Sequence, residues 1–266
     1  MNTKILRNLA FTIFTCYATL AVSASPHWSH DEQATWWAIQ DPTQNVPLNY
    51  PFGECGIGKH QSPIDLGAAT INDSKPLSKL AALYGTDTAP VFFNSGHGVQ
   101  VNTSTDYKGA LMIGEESFPL IQFHFHEPSE HVVKGKNFPA ELHYVHINED
   151  GRIIVLAVAI DIGDENPIFG TILENTPHEE NGKNASAGIQ INPAQLLPAD
   201  LDPANLDYYT IAGSLTTPPC SEGVQWYLLP KVITVSAAQL EQLKGFYTNN
   251  AREAKDLNGR SLLSSQ

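Results

Sequence analysis

The 266-residue sequence has only three cysteines and two methionines, and its 28 acidic residues far outnumber its 15 lysines and arginines. A formal net charge of −13 repels phosphate groups, so nucleic acids and anionic membranes are not expected partners. The sequence has no internal repeat, heptad pattern or low-complexity block, which argues against a solenoid or a long coiled coil. After residue 24 no apolar run is long enough to cross a bilayer, so we expect no membrane insertion of the mature chain.

The first 24 residues predict a secretory signal peptide. Lys4 and Arg7 supply positive charge, an apolar segment follows at residues 9–22, and small residues near Ala24 form a cleavage site. We find no segment that resembles an interdomain linker. The prediction is therefore a signal peptide at 1–24 and one domain at 25–266, which would work in the periplasm or outside the cell.

The few cysteines predict one disulfide. Cys16 lies within the signal peptide, so its removal leaves Cys55 and Cys220. In an oxidising compartment an even pair more often forms a disulfide than two free thiols. Closing so long a loop would stabilise the fold by about 4–5 kcal/mol in the chain-entropy account.

Proline and glycine, with 18 and 19 residues, interrupt the sequence throughout. Between them lie short segments rich in β-branched and aromatic residues, which is typical of strands joined by turns. We predict strands at 91–94, 98–102, 118–126, 142–148, 152–160, 208–212 and 224–229. The composition alone therefore predicts a sheet-rich domain.

Helix signals are few. Residues 236–239 form a capping box, and Gly245 supplies a stop for the helix that follows it. A weaker helix is predicted at 76–84, and a short helical turn after the Asn-Pro pair at 192–193. Residues 164–183 are acidic and contain two prolines, so we predict that they form connecting surface.

Two histidines separated by one residue occur in the segment 122–126, Gln-Phe-His-Phe-His. Successive side chains of a strand point to opposite faces, so His124 and His126 share one face and residues 121, 123 and 125 share the other. If the strand near 141–147 pairs with this one, His143 joins them. Three histidine ligands with a fourth position open are typical of catalytic zinc.

Polar residues occupy positions from which they could accept hydrogen bonds from the predicted histidine ligands. Gln122 precedes His124 by two positions, and Glu141 precedes His143 by two, so each shares a face with a histidine. A metal-bound imidazole needs a partner on its other nitrogen. A lone histidine is more often an ordinary packed residue, but three histidines with two acceptors in register favour a metal site.

Six segments carry a wider pattern: 61–65 (QSPID), 94–97 (NSGH), 122–126 (QFHFH), 129–131 (SEH), 141–146 (ELHYVH) and 214–220 (SLTTPPC). In this order they resemble the α-class carbonic anhydrases, in particular the secreted bacterial branch. The resemblance extends from His27 to Arg260. It implies a mainly β (α+β) single domain with a large twisted, mostly antiparallel central sheet and short peripheral helices.

The resemblance also implies an activity, the reversible hydration of carbon dioxide to bicarbonate and a proton. His124, His126 and His143 would hold zinc, which in carbonic anhydrases lowers the pKa of bound water to about 7 and so supplies hydroxide. Inhibitory anions and sulfonamides are expected ligands, and a homodimer is compatible with the family.

The resemblance also implies roles for other residues that match the family's functional positions. Thr216 would accept the hydroxide's hydrogen bond and donate its own proton to Glu130, which aims the nucleophile. His97, which titrates near neutral pH, would shuttle the released proton to solvent. Five residues match the substrate pocket of the family: Val145, Val155, Leu215, Thr217 and Trp226.

Two positions depart from the family pattern. His30 stands where the family usually has tyrosine, and Ser95 stands where asparagine is common. Both positions help to order the water between metal and shuttle. They bear on the speed of proton transfer and not on the reaction itself.

Two alternatives compete with this reading. The spacing of His124, His126 and Glu130 also fits the first metal motif of cupins, which would imply an iron or manganese dioxygenase or isomerase, but the second cupin motif is missing after residue 135. A non-catalytic relative that binds a partner would typically lose a ligand histidine. All three are present, so we predict an active enzyme.

Overall fold

The computed structural model describes residues 26–43, 49–72, 76–185 and 188–266. The predicted signal peptide at 1–24 therefore lies outside the described residues, and Cys16 with it. Within the described ranges, no helix combines the length and the apolar character that a membrane span requires.

Strands account for most of the regular structure. They are β1 (Ile71–Asn72), β2 (Leu80–Leu83), β3 (Val91–Asn94), β4 (Val99–Asn102), β5 (Ala110–Ile113), β6 (Glu116–His126), β7 (Val132–Val133), β8 (Lys136–Asn137), β9 (Ala140–Ile147), β10 (Ile153–Ile162), β11 (Lys183–Asn184), β12 (Tyr209–Ser214), β13 (Glu222–Leu228), β14 (Ile233–Val235) and β15 (Leu262–Ser264). The α-helices are α1 (Glu54–Ile57), α2 (Pro167–Asn175) and α3 (Ala237–Lys244), and 3₁₀ turns span His30–Ala38, Leu66–Ala68 and Pro193–Leu196.

Among the described residues, 13 strands form one sheet at the centre of the fold. Its main path is β1-β15-β12-β13-β10-β9-β6-β4-β3-β11, with β14 paired to β10 and the β2–β5 pair attached to β6. Among the described strands, β1–β15, β10–β13 and β10–β14 pair in parallel and the other neighbours are antiparallel. The predicted fold class, a mainly β domain with a mostly antiparallel sheet and short peripheral helices, is confirmed.

The two faces of the sheet bury different sets of side chains. Phe123 and Phe125 of β6 and Tyr144 of β9 belong to the larger apolar core, on which α2 and α3 pack. Val155 of β10 lies opposite Trp226 of β13 in the smaller apolar cluster on the other face. The alternation along β6 and β9 thus sends His124, His126 and His143 away from the larger core, whereas His146 of β9 faces that core and is hydrogen-bonded to Tyr84 at 2.7 Å.

One residue of β6 breaks the predicted alternation. Ile121 was expected on the core face with Phe123 and Phe125, and this is wrong because its side chain is 43% exposed. The pairing register with β9 shifts between Leu120 and Gln122, so Ile121 is the extra residue of a β-bulge. The bulge resets the face on which Gln122 and the following histidines lie.

The predicted helix at 76–84 is also wrong. Leu80–Leu83 is a strand that pairs antiparallel with β5. Leu80 and Ala82 are buried, so the burial follows a period of two. Pairing with β5 determines the conformation here, because a short apolar segment has no strong preference of its own.

The connection at 164–183 contains more structure than predicted. Helix α2 begins after Asn166, whose side chain accepts the N–H groups of Ile168 and Phe169, and Pro167 occupies its first turn. The same Asn-Pro signal correctly predicted the 3₁₀ turn at Pro193–Leu196. The capping box predicted at 236–239 is present at the start of α3.

Candidate metal centre and active site

Three histidines converge on the face of the sheet that carries the smaller apolar cluster. His124 of β6 lies opposite His143 of β9 in the antiparallel register, and His126 is two residues further along β6. The ring centroids are 4.6 to 5.3 Å apart. One nitrogen of each ring lies within 4.8 Å of the other two, so one small cation could contact all three.

Two of the three imidazole rings donate a hydrogen bond to a predicted acceptor through the nitrogen that points away from the cluster. His124 Nδ1 donates to Gln122 Oε1 at 2.8 Å, and His143 Nε2 donates to Glu141 Oε1 at 3.0 Å. These bonds leave His124 Nε2 and His143 Nδ1 free for a metal. The outer residues therefore fix both the tautomer and the orientation of the rings.

The third ring has a partner that the sequence did not reveal. His126 Nδ1 donates to the backbone oxygen of Asn250 at 2.9 Å. The Asn250 side chain donates to the backbone oxygen of His97 at 2.7 Å, so it ties the turn that carries His97 to the ligand strand. Asn250 stands 124 positions after His126, and no local spacing signals such a contact.

The charge state of the rings suits a divalent cation. Burial, with help from the neighbouring imidazoles, lowers the pKa of His124 well below its ordinary value, and burial lowers the pKa of His126. Neutral imidazole is the form that binds metals. His126 Nε2 is buried and has no hydrogen-bond partner among the described residues, a cost that a bound cation would remove. The three residues therefore fit zinc.

A buried network stabilises Glu141. Its carboxylate accepts the N–H of His131 at 2.8 Å, His131 Nδ1 at 2.8 Å and His143 Nε2 at 3.0 Å. Burial alone would raise the pKa of Glu141, but the two imidazoles and their hydrogen bonds lower it well below the ordinary value. Glu141 is therefore ionised and acts as the acceptor for His143. Sequence reasoning assigned no role to His131.

Glu130 follows β6 and is wholly buried. Its Oε1 accepts the N–H of Arg252 at 2.9 Å. Its Oε2 lies 3.5 Å from His126 Nε2 and 3.8 Å from His143 Nδ1, and it has no hydrogen-bond partner among the described residues. This oxygen thus lies beside the ligand nitrogens, and the hydrogen bond expected from Thr216 is not formed at it in this structure.

A disulfide anchors the loop that carries Thr216. Cys55 and Cys220 are bonded, as predicted, with their Cα atoms 5.0 Å apart. The loop is tightened by a hydrogen bond from the Cys220 N–H to Thr217 O at 2.9 Å, and Gln61 donates to Cys220 O at 3.0 Å. Thr216 is buried and Thr217 is half-buried.

An apolar wall stands next to the histidines. Val155 of β10 is paired in register with Val145 on one side and with Trp226 on the other, so the three form one row across the sheet. Leu215 packs against the same cluster. The Trp226 ring centroid lies 4.9 Å from that of His143. Val145, Val155, Leu215 and Trp226 thus pack in one cluster, in which Trp226 contacts His143.

His97 lies at the other side of the site, in the turn between β3 and β4. Its ring stacks flat on Trp28, with centroids 3.7 Å apart and planes at 9°. It borders a cavity of about 230 Å³ that His27, His30 and Glu180 also line. Burial lowers the pKa of His97, and the charge of Glu180 partly opposes the shift.

The two departures from the family pattern lie near His97. The His30 ring centroid is 6.0 Å from that of His97, and burial followed by the charge of His126 lowers the pKa of His30 to about 4. Ser95 shapes the turn itself, since its hydroxyl donates to Gly98 O at 3.0 Å and accepts the His97 N–H at 3.2 Å. His30 therefore extends the polar surface between His97 and His126, and Ser95 faces the turn.

Replacing Gln122 with alanine tests the support of His124. We expect zinc affinity to fall by about 10–100-fold, because the ring loses the acceptor that fixes its tautomer. Gln225, a half-buried glutamine of β13 that contacts Thr210, is the control and its alanine variant should bind zinc normally. Competition with a fluorescent zinc chelator measures both. Equal affinities of the two variants would contradict the assigned role.

A large mixed sheet with three clustered imidazoles, a buried carboxylate and an apolar wall on one face defines a protein with a candidate three-histidine metal site. The family model described as eukaryotic-type carbonic anhydrase matches residues 43–266. The carbonic anhydrase of Pectobacterium atrosepticum is 36% identical over 258 residues, which cover 96% of this chain and 98% of that protein.

Comparison with solved structures indicates the same family. The α-carbonic anhydrase of Thermovibrio ammonificans, in complex with sulfanilamide, superposes with a TM-score of 0.78 at 34% identity and covers 90% of this chain and all of its own. The Photobacterium profundum α-carbonic anhydrase gives 0.71 at 38% identity, covering 80% of this chain and 92% of that one. The chain belongs to the eukaryotic-type, or α, carbonic anhydrase family and is a carbonic anhydrase. The cupin alternative is therefore wrong.

Proposed function

We propose that this carbonic anhydrase hydrates carbon dioxide with a zinc ion held by His124, His126 and His143. The observation that carries the proposal is the set of three imidazole nitrogens within 4.8 Å of one another. Zinc, when bound, lowers the pKa of its water ligand and so provides a nucleophile at neutral pH, as it does in carbonic anhydrases generally.

The protein would orient the reaction through Thr216 and Glu130. The buried Glu130 Oε2 is an open acceptor beside His126 Nε2, so a Thr216 hydroxyl that donates to it would leave its own oxygen lone pairs for a nucleophile's proton. Fixing one orientation removes an entropy cost from the reaction. Carbon dioxide, which has no dipole, would rest against Val145, Val155, Leu215 and Trp226, with Thr217 at the loop side.

His97 would carry the released proton to solvent. Its place beside a polar cavity and its stacking on Trp28 support this role, because the ring borders solvent and can exchange a proton there. Ser95 would hold the turn, and His30 would border the path from the metal side.

Replacing His97 with alanine should slow turnover in weak buffer by about tenfold or more, within the range for one proton-transfer group. Added imidazole should restore the rate, since a free base can accept the proton. His178, which stacks on Phe246 away from the histidine cluster, gives the control variant His178→Ala. Stopped-flow hydration at several buffer concentrations measures the effect. A His97 variant that is neither slowed nor rescued would show that another group carries the proton.

We infer further that residues 1–24 are removed and that residues 25–266 work in the periplasm or outside the cell. The disulfide supports an oxidising compartment. Because the T. ammonificans relative binds sulfanilamide, we propose sulfonamides and inhibitory anions as ligands here too. A homodimer stays a prediction, which sedimentation velocity can check.

A stopped-flow assay with a pH indicator tests the proposed reaction. Zinc-loaded protein with its disulfide intact should acidify a carbon dioxide solution, and sulfanilamide should abolish the acidification. Protein stripped of zinc should be inactive and should recover when zinc is returned. Activity that is indifferent to both zinc and sulfanilamide would refute the proposal.

A further inference from the structure

A second cavity, of about 490 Å³, opens on the same face of the sheet, where Ala157 and Leu228 follow the wall residues Val155 and Trp226 along β10 and β13. Neither the three zinc-binding histidines nor Val155 and Trp226 line it. Its volume lies within the range of about 300–1,000 Å³ that is usual for small-molecule sites. Its lining is mainly apolar, and its polar side chains are those of His131, Lys134, Glu141 and Tyr209.

Small residues of β10 create this space. Val155, Ala157 and Ala159 point to the same face of the strand, and the alanines line the cavity where a larger residue would fill it. Leu228, paired with Ala157 in register, and Leu262 of β15 form the side walls. The small side chains of β10 therefore help to keep this space open.

The mouth of the cavity exposes apolar surface. Ile71 of β1 is 49% exposed and Val133 of β7 is 39% exposed, and both line the opening. Scattered apolar side chains are normal on a surface, but these two continue into an apolar cavity. A ligand that fills the cavity would cover them.

A lysine is fixed at the same mouth. The Lys134 N–H donates to Asp65 Oδ1 at 2.9 Å, and the Gly135 N–H donates to Asp65 Oδ2 at 2.8 Å. Asp65 also accepts the N–H of Gly67 at 2.8 Å, and the Lys134 side chain packs over Gly67. Among the described residues no acidic side chain forms an ion pair with the Lys134 ammonium group, so this cation is available to an anionic ligand.

Two other polar side chains of the lining, Glu141 and His131, are hydrogen-bonded to each other. An anionic ligand in the cavity would therefore be attracted to Lys134.

We propose that this cavity binds a straight-chain aliphatic carboxylate of about eight to ten carbons, a length that suits a cavity of this size. The hydrocarbon chain lies against Ala157, Ala159 and Leu228, and the carboxylate pairs with Lys134 at the mouth. The three histidines of the zinc site do not line this cavity, although Glu141, the acceptor for His143, does.

Isothermal titration calorimetry of the zinc-loaded protein with hexanoate and octanoate tests the proposal. Octanoate should bind about tenfold more tightly than hexanoate, because two more methylene groups are buried. Lys134→Glu should weaken octanoate binding by about tenfold, since it replaces an attraction with a repulsion. Lys136→Glu, on the same hairpin but outside the cavity lining, is the matched control and should change binding by less than about twofold.

Two further experiments test where octanoate binds. Ala159→Leu fills the cavity and should weaken octanoate binding, with circular dichroism confirming that the variant is folded. Saturating sulfanilamide should leave octanoate binding unchanged, whereas competition would place the carboxylate at the zinc and overturn the proposal. The proposal also fails if octanoate does not bind, if Lys134→Glu and Lys136→Glu have equal effects, or if sedimentation velocity shows that a second copy of the chain covers the mouth.

Discussion

Replacing His143 with alanine is expected to abolish tight zinc binding and to lower kcat/KM for carbon dioxide by more than about 100-fold. Changes to outer groups that merely orient a ligand already cost about 10–100-fold, and this substitution removes a ligand itself. His143 also donates to Glu141, so the variant leaves a buried carboxylate with one donor fewer. Mass spectrometry under native conditions and stopped-flow hydration measure the two effects.

An exposed histidine provides the control for that experiment. His60 is exposed and lies 4.0 Å from Glu222, so His60→Ala removes an imidazole without touching the cluster. This variant should keep one zinc per chain and full activity. If His143→Ala retained stoichiometric zinc and normal turnover while folded, His143 would not be a zinc ligand.

Removing the disulfide should have the largest effect on stability. The double variant Cys55→Ser and Cys220→Ser frees a loop of 165 residues, and the free energy of unfolding should fall by about 4–5 kcal/mol. The fall arises mainly because the unfolded chain regains freedom, which the bond had restricted. Urea unfolding monitored by tryptophan fluorescence measures it.

The wild-type protein supplies the matching control. Reduced wild-type protein should unfold at the same urea concentration as the double variant, because both lack the same bond. The variant should also turn over more slowly, since Cys220 lies in the loop that holds Thr216 and Thr217. A loss of less than about 1 kcal/mol would mean that the folded state is strained by the bond or that the unfolded chain stays compact.

The histidine cluster could be predicted from the sequence because side chains alternate strictly along a strand. In β6 the phenylalanines at 123 and 125 alternate with the histidines at 124 and 126, so the phenylalanines enter the larger core and the histidines face the other side of the sheet. The same rule failed at Ile121, where a bulge adds one residue, and bulges leave no clear local signal. The face on which a strand residue lies can thus be predicted from sequence only within a stretch that has no register shift.

Contacts distant in sequence could not be predicted. Asn250 orients His126 from 124 residues away through a backbone oxygen, an acceptor that every residue carries. The Glu141–His131 pair lies closer in sequence, but its role depends on how the segment after β6 folds back. The second cavity depends on two alanines of β10, and only the packing of neighbouring strands shows that the space stays unfilled.

The central claim is that three imidazoles bind one zinc ion and leave one position to solvent. X-ray absorption at the zinc edge, recorded on zinc-loaded protein with its disulfide intact, tests it directly. We predict a four-coordinate ion with three imidazole nitrogens and one oxygen that is replaced when sulfanilamide is added. A six-coordinate ion, a ligand set that includes Glu130, or a spectrum unchanged by His143→Ala would contradict the account.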